Sequence, residues 1–126
     1  MSDETTTHFN SLIKDYMLAI DKWMDEEKPY LDPRLKLLDV TRAIDLNRTY
    51  ISRVFNNGFG KSFQEYVRDR RIAYACSLLL ADAHAPIGDV AMQCGFSSHS
   101  SFHRTFLAVM NGVTPGQYRR QYLAGK

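Results

Sequence analysis

Two short stretches of the chain carry side chains suited to reading the edges of nucleic-acid bases. The first holds Arg48, Thr49, Ser52 and Arg53; the second holds His99, Ser100, His103 and Arg104. At helical spacing each set falls on one outer face, and every member can donate a hydrogen bond. An arginine can grip O6 and N7 of a guanine with two parallel bonds, and the short hydroxyls suit a nearby base or phosphate. One such contact discriminates between bases by about 1–3 kcal/mol. Few are needed if phosphate contacts hold the register. Asn47, Ser98 and Arg68 are the candidates for that second task. Arg68 belongs to a cluster with Arg70 and Arg71, any of which could face a phosphate or instead be solvated or paired with Asp69 and Glu65. Arg53 and Arg104 have their own structural alternative, bonding to helix ends or to acidic groups.

Other chemistries find less support. His99 and His103 lie one helical turn apart, as a metal pair would. The stretch lacks the glutamate of His-Glu-x-x-His, and no third ligand is in evidence. No serine, cysteine or carboxylate arrangement suggests covalent catalysis, and no glycine-rich loop suggests a nucleotide. The expectation is a protein that is not an enzyme, with no catalytic residues, no cofactor and no metal. Cys76 and Cys94 both sit in apolar helical patterns and read as small hydrophobes rather than as a disulfide or zinc framework.

The donor-rich faces lie in a two-part pattern that occurs twice, about fifty residues apart. One copy runs Leu37-x-x-Val40-Thr41-x-x-Ile44-Asp45-Leu46 and on from Asn47 to Phe55; the other runs Ile87-x-x-Val90-Ala91-x-x-Cys94-Gly95-Phe96 and on from Ser97 to Phe106. Each reads as a short helix, a tight turn and a second short helix. Val40, Ile44, Leu46, Ile51 and Phe55 would lock the angle in the first unit, and Val90, Cys94, Phe96, Phe102 and Phe106 in the second. Ala91 lets two helices approach closely, and Thr41 stands at the matching place. Gly95 suits a turn backbone that most residues resist, and Asp45 visits that region more readily than most. Asn47 and either Ser97 or Ser98 would cap the second helices.

The remaining elements frame these units. Phe9 to about Lys28 carries a helical apolar stripe through Leu12, Ile13, Tyr16, Met17, Ile20, Trp23 and Met24, after a polar stretch 1–7 expected to fray. Pro29 ends it, and Asp32-Pro33 is expected to cap and open a short helix. Asn56 to Gly60 closes the first unit with glycines at left-handed angles. Ser62 and Glu65 form a capping box for a long central helix that ends near Asp82. Thr114-Pro115 opens a last short helix. No strand pattern competes, so the fold class is all-α: about seven helices, two helix-turn-helix units joined by a long central helix, and an N-terminal leader helix. The organisation expected is a leader and connector over 1–33 and a double helix-turn-helix domain over 34–126, with units at about 37–55 and 87–106.

Length and charge agree. The 126 residues allow one domain with a real core. Net charge is +2, divided as −5 over 1–33 and +7 over 34–126, so the body attracts polyanions. No apolar run approaches the roughly 20 residues of a membrane helix. No cleavable leader is visible, and a cytoplasmic location is expected. Two recognition helices on one side of straight B-DNA sit about 34 Å apart, and a helix of about 20 residues spans about 30 Å, so the central helix could act as the strut.

These residues resemble a known family. Asn47 to Phe55, then Gly60-Lys-Ser-Phe63 and Tyr66, is similar to the first recognition helix of the DNA-binding domain of AraC/XylS bacterial transcription regulators. Arg71-Ile72, Ala75 and Leu78-Leu79-Leu80 resemble the start of its linker helix. Ile87 to Phe96, Ser100-x-Phe102-x-Arg104-x-Phe106, Gly112-Val-Thr-Pro115 and Tyr118-Arg119 resemble its second half. The resemblance covers about 34–120. It implies sequence-specific binding of double-stranded promoter DNA by two recognition helices in successive major grooves, and commonly activation through contact with RNA polymerase. It also carries base reading over to Arg48, Thr49, Ser52 and Arg53 and to His99, Ser100, His103 and Arg104. Asp45 and Thr41 depart from the glycine and alanine usual in the family. The leader departs from the minimal domain; it can be an extra packed helix, a homodimer contact or a connection to a sensor module. A helical protein-interaction module without DNA binding is the alternative reading.

Overall fold

The computed structural model describes the backbone of residues 2–124 and the side chains of 8–123. Within that range there are seven α-helices: α1 (Ser2–Glu27), α2 (Leu37–Ile44), α3 (Arg48–Arg53), α4 (Phe63–Ala81), α5 (Ile87–Gln93), α6 (His99–Val109) and α7 (Pro115–Ala124). A 3₁₀ turn spans Pro29–Leu31 and a π-helical segment spans Val54–Phe59. No helix among the described residues is long and apolar enough to cross a membrane. The chain forms two compact units. The first comprises residues up to Pro29 together with Arg34–Tyr66; the second comprises Tyr30–Pro33 together with Val67 onward. The connecting helix α4 contributes its start to the first unit and the rest to the second.

The first unit is built on the apolar stripe of α1. Ile20 and Met24 are fully buried with Val40, Ile51, Val54 and Phe55. Phe55 is the hub, with its ring 5.2–5.6 Å from those of Phe59, Phe63 and Tyr66. The Tyr66 hydroxyl donates to the Asp21 carboxylate at 2.5 Å, tying α1 to the start of α4. The helix begins at Ser2 rather than near Phe9; the side chains of 1–7, where fraying is expected, lie outside the described residues.

Two local expectations need correction. Asp32-Pro33 opens no helix. Pro29 begins the 3₁₀ turn, and α2 starts only at Leu37, where the Asp39 carboxylate accepts the Lys36 N–H at 2.9 Å. The start of α2 is thus held by an acid in its own first turn reaching back to the N-cap N–H, with no cap from Asp32. The close of the first unit also differs, because the helix widens into the π-helical segment instead of unwinding after Phe55. Gly60, at φ +72°, is the left-handed terminator. Gly58 is required for space: a Cβ there would lie 2.8 Å from Met17 Sδ and 3.0 Å from Ile13 Cγ2.

The second unit packs α4, α5, α6 and α7 around Ile72, Leu79, Val90, Cys94, Phe102 and Phe106. Phe96, Phe102, Phe106 and Tyr118 form a run of rings with successive centroids 5.3, 5.7 and 5.9 Å apart. Capping boxes start two helices. Ser62 and Glu65 bond each other's N–H groups at 3.1 and 2.9 Å, as expected, and Thr114 and Gln117 do the same at 3.0 and 2.9 Å. Pro115 then occupies the first position of α7, where its missing N–H leaves nothing unpaired.

Candidate nucleic-acid interface

Both second helices begin with a side-chain cap. Asn47 Oδ1 accepts the Tyr50 N–H at 3.0 Å, and Ser98 Oγ accepts the Ser101 N–H at 3.1 Å. Ser98, not Ser97, is therefore the cap of α6. Two of the three expected phosphate contacts hold the helices they precede. The Asn47 NH₂ and the Ser98 hydroxyl proton stay available as donors.

The inner faces of α3 and α6 are locked by the core. Ile51 is buried on α3, with Val54 and Phe55 immediately beyond it; Phe102 and Phe106 are buried on α6. The outer faces are open. Arg48, Thr49 and Arg53 are exposed and Ser52 is half-buried; His99, Ser100, His103 and Arg104 are all exposed. The two faces differ in how their donors converge. His99, Ser100, His103 and Arg104 line one depression of about 610 Å³ together with Leu107. In the first unit only Arg48 and Ser52 share a groove, also about 610 Å³, with Lys36, Leu38, Thr41, Asn56 and Gln64 among its other walls. Thr49 and Arg53 do not line it.

The arginines fall into three groups. Arg104 has no hydrogen-bond or ion-pair partner among the described residues, so the structural alternative does not hold for it. Arg53 lies with its guanidinium carbon 5.7 Å from the Tyr50 ring centre. In the central cluster, Arg68 pairs with Asp69 at 3.1 Å, and Arg71 is structural. Its Nε donates to the Tyr30 carbonyl at 2.6 Å and its Nη2 to the Asp32 carbonyl at 2.9 Å, with the guanidinium carbon 6.0 Å from the Phe96 ring. Burial lowers the Arg71 pKa and the Asp32 charge opposes that shift.

Sequence reasoning missed Lys36, Asn56 and Gln64 around the first groove. Lys36 and Gln64 arrive because the starts of α2 and α4 converge there, and Asn56 is brought in by the π-helical continuation of α3. The Thr114-x-x-Gln117 box, by contrast, was visible as a spacing. His99 and His103 do form a neighbouring pair, with ring centres 6.4 Å apart. No group of three or more histidine, cysteine or acidic side chains placed to hold a metal occurs among the described residues.

Two capped, core-locked helices with outward donors, each braced by a preceding short helix across a left-handed turn, define a helix-turn-helix transcriptional-regulator domain. The comparisons agree: the family model described as a helix-turn-helix domain matches residues 40–121, and the chain belongs to that family. Its class binds DNA sequence-specifically and is non-catalytic. The regulatory protein SoxS of Salmonella typhimurium is 30% identical over 100 residues, 79% of this chain and 89% of SoxS. The melibiose operon regulatory protein of Escherichia coli is 29% identical over 114 residues, 90% of this chain but 37% of that protein, so the chain spans little more than a third of that relative. A transcriptional regulator from Chromobacterium violaceum, described as containing an AraC-type DNA-binding domain, is similar in structure. Its TM-score is 0.64 at 28% identity, covering 69% of this chain and 76% of that one. Several of the matches are of the AraC/XylS type.

Proposed function

We propose that α3 and α6 are the recognition helices of a cytoplasmic bacterial transcription activator and enter successive major grooves of promoter DNA. Arg48, Thr49, Ser52 and Arg53 read bases in one groove, and His99, Ser100, His103 and Arg104 read them in the next. Asn47, Ser98 and Arg68 contact phosphates. Residues 34–126 form the reading domain, behind a leader over 1–33. RNA polymerase is the protein partner, and α1 offers a homodimer contact. The observation that carries this reading is the α6 face: four exposed donors share one depression, and Arg104 among them has no internal partner.

The test is selection from random duplex DNA, followed by titration of the selected site at several salt concentrations. Two short motifs about one turn apart are expected, with affinity falling steeply as salt rises, because neutralised phosphates release counterions. Arg104→Ala should weaken binding and relax preference at one or two base pairs while circular dichroism stays unchanged. Equal affinity of variant and parent for the selected site would remove Arg104 from the reading. Affinity that is flat across salt and sequence would favour the protein-interaction module instead.

A further inference from the structure

We infer that the leader helix sets the base preference of the first unit through a ring stack that positions Arg53. This rests on Arg53 being a base-reading residue. The stack has three members. Phe9 of α1 lies with its ring centre 4.9 Å from that of Tyr50, the planes inclined by 37°. Tyr50 stands on α3, and the Arg53 guanidinium carbon lies 5.7 Å from the centre of the same ring. Tyr16, two turns beyond Phe9 on α1, backs it at 6.5 Å.

Each member supplies something the others cannot. An exposed arginine has many rotamers, and ordering it when DNA binds costs entropy. A cation held over an aromatic ring gives up part of that freedom beforehand, and the guanidinium plane can rest on the ring while its N–H edge faces outward. Tyr50 can do this only if its own ring is held. Its hydrogen bond to the Asn47 cap involves the backbone N–H, not the side chain. Phe9 holds the ring by covering it from the leader, so a residue about forty positions away in sequence positions a recognition-helix arginine. The second unit has no such device: Arg104 lies beside His103 and has no ring assigned beneath it among the described residues. The first turns of α1 are thereby a control point for what one unit reads and not the other. Anything that displaces Phe9 loosens Arg53 and leaves α6 as it was.

The test measures binding of the parent and variants to the selected duplex and to single-base variants across both motifs. Arg53→Ala should abolish discrimination at one base pair of the first motif. Phe9→Ala should reduce discrimination at that same base pair about two- to five-fold, the range of an exposed cation–π contact. It should leave the second motif's preferences unchanged and have no further effect in the Arg53→Ala background. Tyr50→Phe keeps the ring and should retain discrimination; Tyr50→Leu should behave as Phe9→Ala does. If Arg53→Ala leaves every preference unchanged, the base-reading role of Arg53 fails and the positioning role fails with it. If Arg53→Ala acts but Phe9→Ala and Tyr50→Leu leave its base pair untouched, the positioning inference alone is overturned. A uniform loss across both motifs would mean that Phe9 is merely structural and would also overturn it.

Discussion

The two helix-turn-helix units follow one plan and solve its tightest point differently. In the first, the turn is made by Asp45 at φ +58°, an exposed residue with room for its side chain. In the second, it is made by Gly95 at φ +90°, buried beneath another part of the chain. A Cβ on Gly95 would lie 2.3 Å from the Tyr30 carbonyl oxygen and 2.9 Å from Arg71 Nε. That carbonyl is the one the Arg71 Nε–H binds, so the second turn is closed over by the Tyr30–Pro33 segment and its arginine clamp. The same backbone angle is thus a tolerable preference in one unit and a steric necessity in the other. The donor faces diverge in parallel: four donors converge on α6, while α3 divides them between a groove and a ring stack.

This contrast can be broken or sharpened by substitution. The largest effect should come from the aromatic hubs, which play equivalent parts. Phe106→Ala and Phe55→Ala should each cost about 3–5 kcal/mol in urea unfolding. A cost below about 1 kcal/mol at either site would show that its unit is centred elsewhere. Gly95→Ala comes next, at about 2–4 kcal/mol from positive φ plus overpacking. A near-neutral Gly95→Ala would mean that the Tyr30 segment gives way and the asymmetry of the turns is lost.

The cysteines offer a pH-dependent counterpart confined to the second unit. Burial pushes the Cys94 thiol from its ordinary 9.0 up to about 12. The unfolded chain therefore releases this proton first, near pH 9, so stability should fall as pH rises from about 9 towards 12. Cys94→Ala should flatten that part of the stability profile; an unchanged slope would show the thiol to be accessible. Below these effects lie the caps. Asn47→Ala and Ser98→Ala should each cost about 0.5–2 kcal/mol, measurable by thermal unfolding. The smallest expected change is a gain: Asp45→Gly relieves a left-handed aspartate and should stabilise the first unit by less than about 1 kcal/mol. A loss there would point to a role for the carboxylate that the turn geometry does not require.

Much of this was legible in the residues. Apolar spacing at Val40, Ile44 and Ile51, and again at Val90, Cys94 and Phe102, is a local code for two braced helices. The Asn47 cap and the Ser62–Glu65 box are likewise local, because donor and acceptor lie within four residues. The local pattern misleads where a distant contact overrides it. Asp32-Pro33 looks like a helix start, but Arg71, about forty residues away, binds the carbonyls of Tyr30 and Asp32 and holds the segment as a turn. Gly58 looks like a terminator, but Met17 and Ile13 decide its role.

By itself the sequence determined most of the helices, the Asn47 and Ser62–Glu65 caps and which faces carry hydrogen-bond donors, since each depends on spacings within a turn or two. Tertiary structure alone decided which turn demands glycine, which arginine of the central cluster is spent on the chain's own carbonyls, and that Phe9 lies against Tyr50 on a recognition helix. These depend on close approach between segments far apart along the chain, and steric exclusion at 2–3 Å leaves no trace in the periodicity of either segment alone.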